Sequence, residues 1–238
     1  HRPRRWVMSK AIAVVVGAGP GLGAALARRF AKGGMEVVGC ARNPSKVEAL
    51  ARDGIRLEAC DATKEGDVAR VFDRVARDHG APALVAYNAG AYERGGILDI
   101  RPQDFERCWR VGCFGGFLVG QAAARLMVPK GEGTILFTGA TASLRGGAGF
   151  ANLAVPKFGL RALAQSMARE LDPKGIHVAH VVIDGQIASE ARRDMAAQRG
   201  PSSLLSPEAI AETYWNLHTQ PRDAWSHEVD LRPWLEKF

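Results

Sequence analysis

Four cysteines is few for a chain of 238 residues, and Cys40, Cys60, Cys108 and Cys113 stand at none of the spacings that make a zinc site or a redox pair. Buried free thiols are the expectation, in a reducing cytoplasm, and no metal site is expected. Long apolar runs are also missing. Residues 111–128 come nearest, and Gln121 and Arg125 interrupt them, so no membrane span is expected. No internal repeat, low-complexity tract or linker divides the chain, which leaves one large α/β domain. Basic runs with interleaved aromatics are absent as well, so a net charge of +7 does not point to nucleic acid. Three of those charges, Arg2, Arg4 and Arg5, precede Met8, and without them the balance is +4. Residues 1–9 are read as a disordered tag or leader and 10–238 as the folded domain. A basic start before AIAVVV resembles a secretory signal, but Lys10 and the glycine turn behind it explain the same residues better.

What is present is concentrated in residues 11–31, AIAVVVGAGPGLGAALARRFA. The run 11–16 is short, apolar and β-branched, as a strand buried on both faces of a parallel sheet should be. Gly17, Gly19, Gly21 and Gly23 follow at once, and beyond them Leu22, Leu26 and Phe30 recur at helical spacing. Glycine lacks the Cβ that would hold a phosphate away, and a helix N-terminus behind such a turn attracts a pyrophosphate. The stretch is therefore a candidate dinucleotide site.

Two registers fit these glycines, G-x-G-x-x-A from Gly19 to Ala24 and G-x-x-x-G-x-G from Gly17 to Gly23. The first normally has a carboxylate at the end of the second strand to hold ribose hydroxyls. The second strand here, residues 36–40, ends on Cys40, Ala41 and Arg42. A guanidinium grips a 2′-phosphate with paired hydrogen bonds, so Arg42 favours NADP(H) over NAD(H). A solvated loop arginine is the alternative.

Strand and helix signals then alternate. Strands are expected at 55–59, 83–87, 134–138, 177–183 and 227–231. Helices are expected at 64–79, with Val68, Val71, Phe72 and Val75 on one stripe, at 102–127, at 152–172 and at 207–217. Residues 186–206 have no clear pattern. This alternation predicts a single-domain, doubly wound parallel sheet of about seven strands, with helices on both faces and ligands at the C-terminal strand ends.

The second glycine register, with Val16 before it, resembles the T-G-x-x-x-G-x-G of the short-chain dehydrogenase/reductase family. Cys60-Asp61-Ala62-Thr63 and Tyr87-Asn88-Ala89-Gly90 resemble that family's aspartate and N-N-A-G segments. The likeness runs over nearly the whole chain from Lys10. It implies that Asp61 and Ala62 bind adenine, and that Asn88, Ala89 and Gly90 line the path of the dinucleotide. Asp184, Gly185 and Ile187 fall beside the nicotinamide, with Ser189 at a threonine position. It also implies a lid at 186–206 and a homodimer or homotetramer, to which residues 211–238 are expected to contribute.

The family's chemistry uses an asparagine, a serine, a tyrosine and a lysine. Lys157 matches the lysine, and its ammonium is expected to hold the nicotinamide ribose. Leu153, four residues earlier, stands at the tyrosine position, Ala140 at the serine position and Gly112 at the asparagine position. Three of four members are missing, which removes both the proton and the oxyanion donors. The text resembles a branch of the family that lacks the tyrosine. Pro156 is expected within the first turn of a helix starting near Asn152, where its missing donor does no harm.

Asp184, Tyr92 and Tyr87 are candidate substitute acids, Asp184 the best placed of them. His180 is read as a core histidine, and Tyr214 and Trp215 as core or subunit contacts. Three functions stay open: an NADP(H)-dependent oxidoreductase acting on a small molecule with an activated carbonyl or C=C, a non-catalytic NADP(H)-binding protein, and a non-redox enzyme with Asp184 or Tyr92 as base.

Overall fold

Seven parallel strands form one sheet in the order β3-β2-β1-β4-β5-β6-β7. They are β1 Ile12–Val16, β2 Glu36–Ala41, β3 Arg56–Ala59, β4 Leu84–Tyr87, β5 Gly133–Ala140, β6 Ile176–Ile183 and β7 Glu228–Leu231. The structure, a computed structural model, describes residues 9–238. The expected leader thus lies, apart from Ser9, outside the described residues. Every residue of β1, β4 and β6 is buried, because helices cover both faces.

One face carries α3 (Glu65–His79), α5 (Gly115–Met127) and α6 (Ala151–Leu171), whose Val71, Phe72, Val119 and Leu160 pack on Val14, Val85 and Ile135. The other carries α1 (Leu22–Lys32), α2 (Ala49–Arg52) and α8 (Pro207–Thr219), whose Leu26, Leu50 and Tyr214 pack on Ala13, Val15 and Leu136. The order in which strands are added reverses between β1 and β4, from which the sheet grows outward both ways. In such a sheet the crevice at the C-terminal ends of these two strands is where a ligand fits.

The long helix expected at 102–127 is three pieces. α4 (Pro102–Trp109) runs through a π-turn at Arg110–Phe114 into α5, and a 3₁₀ turn at Val128–Lys130 ends it. Taken together, Pro102–Lys130 is long and apolar enough to cross a membrane, against the expectation that Gln121 and Arg125 break it. In this fold Leu118, Val119, Ala123 and Met127 of that rod are buried in the core of the sheet face. The patternless stretch contains α7 (Arg193–Arg199), and a 3₁₀ turn at Pro44–Val47 leads into α2; all three are too short to show a period.

Candidate active site and cofactor groove

The glycine turn is built by close approach. Gly17 has φ +89°, and a Cβ on it would lie 2.5 Å from the Ala89 amide nitrogen. A Cβ on Gly23 would run into the Gly17 carbonyl and sit 2.8 Å from the Ala18 Cα, so α1 lies directly on the turn. Gly17 and Ala18 N–H both donate to the Cys40 carbonyl at 3.0 Å, strapping the turn to β2. Asn88 donates through Nδ2 to the Gly17 carbonyl at 3.2 Å. Gly19 and Gly21 face open space instead. Ala24 and Ala25 amides are taken by the Gly19 and Gly21 carbonyls, and no side chain caps the amides before them. The uncapped start of α1 thus faces the opening, which is what a phosphate needs.

A cavity of about 320 Å³ extends from this turn between the ends of β2, β3 and β4. It gathers Gly17, Gly19, Gly21, Leu22, Gly23, Arg42, Asp61, Ala62, Asn88, Ala89 and Gly90, all expected there, and adds Cys40, Cys60, Thr63 and Val111. Thr63 donates to Asp61 Oδ1 from its N–H at 3.0 Å and its hydroxyl at 2.7 Å. Partial burial would raise the Asp61 carboxyl, but these bonds and the charges of Lys64 and Arg42 hold it below the usual carboxylate range. Arg42 is exposed at the rim, with no carboxylate paired to it among the described residues. Cys40 and Cys60 are both buried; burial raises Cys40 far up and Cys60 to about 11, which makes them walls and not nucleophiles.

A second cavity of about 490 Å³ shares Leu22, Asn88 and Gly90 with the first and opens over the end of β5. Lys157, Gly185 and Ile187 line it, as expected, together with Ala140 and Leu153. Lys157 is buried, donates from Nζ to the Thr138 carbonyl at 2.8 Å and is lowered by burial to about 8. Ala140 and Leu153, expected at the two hydroxyl positions, present only methyl groups to the same cavity.

The neighbouring hydroxyls do not fill the gap. Thr138 Oγ1 is 2.5 Å from the Tyr214 hydroxyl, Thr141 donates to Asp184 at 2.6 Å, and fully buried Ser143 accepts from the Ala140 N–H at 3.0 Å. Asp184 is absent from the cavity wall; Thr141 holds one of its oxygens and Arg232 the other, at 3.1 Å. It is a strand-end anchor, and its placement does not support an acid at the ligand. Tyr87 is fully buried, donates to the Val111 carbonyl at 2.5 Å, and burial pushes its phenol well up. Tyr92 alone of the three candidates lines the cavity. Its ring stacks on Phe150, centroids 5.6 Å apart and nearly parallel, with Arg94 also over Phe150. His180 is buried in the core, bound to Glu228 at 3.0 Å, and Tyr214 is buried as well.

Gly112 and Pro156 explain each other. Gly112 lies in the π-turn, and a Cβ there would come within 2.7 Å of Pro156 Cβ, so an asparagine has no room. α6 starts at Ala151, as near to Asn152 as expected, but this makes Pro156 its sixth residue and not part of the first turn. The proline ring fills the space that the glycine leaves. Gln186 and Arg192, also on the cavity wall, carried no signal in the patternless stretch.

These features define a doubly wound fold with a dinucleotide-type groove. Residues 11–200 match the family model for short chain dehydrogenase, and the chain belongs to the short-chain dehydrogenase/reductase family. A (21S)-21-acetoxyl-apo-melianone synthase of Melia azedarach is 36% identical over 172 residues, 70% of this chain. The chain spans 64% of that enzyme's length. The 3-oxoacyl-[acyl-carrier-protein] reductase MabA of Mycobacterium avium is 32% identical over 199 residues, 83% of this chain and 76% of that enzyme. Among solved structures, a short-chain dehydrogenase from Rhodopseudomonas palustris has 39% identity and a TM-score of 0.81, covering 95% of this chain and 100% of that one. A metagenomic short-chain oxidoreductase in complex with NADP has 29% identity and a TM-score of 0.82, covering 96% and 99%.

Proposed function

We propose that the protein is an NADP(H)-dependent oxidoreductase that reduces a small molecule with an activated carbonyl or a conjugated C=C, without the usual serine and tyrosine. The observation that carries this is the continuity of the two cavities, which joins the glycine turn and Arg42 at one end to Lys157 at the other. The residues fit the cofactor: the turn offers space where a Cβ would obstruct, Asp61 and Ala62 meet an adenine, Arg42 meets a 2′-phosphate, and Lys157 meets a ribose. Bound there, the nicotinamide supplies hydride.

Hydride arriving at carbon leaves negative charge on the substrate, and the cavity opposes it with the Lys157 ammonium and the Tyr92 hydroxyl. Tyr92 Oη is the proton source we assign, its ring held by the Phe150 stack. An activated substrate suits such a site because water can replace a weak donor. The methyl groups of Ala140 and Leu153 support a second reading, a protein that binds NADP(H) without turning it over. The free cysteines suit the reducing cytoplasm. A homo-oligomer has candidate surface in exposed Trp234, Leu235 and Phe238; a monomer by light scattering would remove it.

Loss of nicotinamide absorbance with a panel of dicarbonyls and enones tests the main reading. Tyr92→Phe, which keeps the stack, should lower kcat by about 10²-fold or more. Unchanged kcat would assign the proton to water. Tight NADPH binding with no turnover on any panel member would select the second reading.

A further inference from the structure

The second cavity carries cations and no carboxylate. Lys157 lines one wall and Arg192 another, and no aspartate or glutamate is on its lining. Arg192 belongs to the 3₁₀ turn Glu190–Arg192 that leads into α7. Its Nη1 donates to the Ile187 carbonyl at 2.9 Å, which fixes the guanidinium against the cavity wall. That wall is itself pinned: Ala188 N–H donates to the Leu205 carbonyl at 2.7 Å, and Leu205 N–H to the Gln186 carbonyl at 2.8 Å.

The carboxylates near Arg192 in sequence are directed elsewhere. Glu190 pairs with Arg193, and Asp184 is held by Thr141 and Arg232. Among the described residues no carboxylate pairs with Arg192, which is half-buried. A half-buried guanidinium with unused donors, in a cavity also lined by Ala140 and Leu153, lacks an anion for its remaining donors.

We infer that Arg192 recognises a carboxylate on the substrate, so that the molecule reduced here is a 2-oxo acid or an α,β-unsaturated acid, whose C=O or C=C is attached directly to the charged group. This rests on the oxidoreductase reading above and narrows its substrate class. The placement also serves the chemistry. Hydride addition to such an acid gathers a second negative charge next to the first, and Arg192 and Lys157 stand on the wall to meet the two.

Calorimetry with benzoylformate and its neutral methyl ester tests this, with and without NADPH. The acid should bind wild type about tenfold or more tighter than the ester. Arg192→Gln should erase that ratio while leaving ester and NADPH affinities within about twofold, and Arg192→Lys should restore part of it, since a point charge keeps attraction but not the paired hydrogen bonds. Equal binding of acid and ester by wild type, or binding of neither, overturns the inference. So does a variant that keeps the ratio but loses NADPH affinity, because the arginine then serves the cofactor's phosphates. Discrimination of acid from ester by a protein that binds no NADPH would sink the oxidoreductase reading, and with it reduction of the acid, and leave only carboxylate recognition by Arg192.

Discussion

The two ends of the groove differ in what builds them. At the adenosine end the surface is mostly backbone: a turn in which Gly17 and Gly23 allow contacts that no side chain would permit, amides at the start of α1, and the Asn88 amide locking Gly17 in place. At the reaction end the positions expected to carry three of the family's side chains hold Gly112, Ala140 and Leu153. The scaffold around them is intact, with Lys157 still bonded to the Thr138 carbonyl. A binding site written in backbone geometry is coupled to the fold, so losing it costs stability. A proton donor is one side chain, which a fold can exchange without cost to its core.

The largest expected effect breaks the coupling at the first end. Gly17→Ala forces a Cβ to 2.5 Å from Ala89 N at φ +89°, so it should lower thermal stability by several degrees and reduce NADPH affinity about 100-fold or more. Gly21→Ala is the contrast, since its Cβ would meet no protein atom within 4 Å. It should leave the melting temperature unchanged and weaken NADPH alone. If Gly21→Ala binds NADPH like wild type, the turn is not the phosphate site.

The same contrast explains what could be read from sequence. Strands such as Ile12–Val16 and Ile176–Ile183 are dense in β-branched residues, and their ends came within a residue or two of expectation. The glycine turn was legible because it answers a local backbone demand, whereas Asp61 and Asn88 were expected from the family resemblance, and both line the first cavity. Reach across the fold was not. Asp184 sits at a strand end facing the crevice, yet Arg232, 48 residues on, draws its carboxylate away. Pro156 made sense only beside Gly112, which lies on another helix. Arg192 lies in a stretch with no periodicity, and only the tertiary structure carries it to the cavity.

At the reaction end the buried ammonium of Lys157 should be visible in stability. Its pKa falls from 10.5 in the open chain to about 8 when folded, because burial penalises the charge. Between those values the unfolded chain holds the proton and the folded one does not, so stability should rise as pH increases from about 8 to 10.5. The cost relieved across that window is about 3 kcal/mol at most. Denaturant midpoints over pH for wild type and Lys157→Met isolate it: the variant should lack this rise and be the more stable of the two at pH 7. Parallel profiles would mean that the ammonium is already solvated, and its site open to water.

The smallest effect separates cofactors at the first end. Arg42 is exposed, so water and salt screen it, and its contribution falls near the lower end for a charge-assisted phosphate contact. Arg42→Gln should weaken NADPH about tenfold and leave NADH unchanged, with the gap closing as ionic strength rises. Asp61 makes the comparison sharper, because its carboxylate lies within the charge field of Arg42 on the same cavity wall. Removing the arginine leaves that negative charge to repel a 2′-phosphate, whereas the ribose hydroxyls of NADH have no charge to repel. Equal losses for the two coenzymes would show that the guanidinium supports the loop and not the phosphate, and the proposed preference for NADP(H) would lose the side chain that supports it.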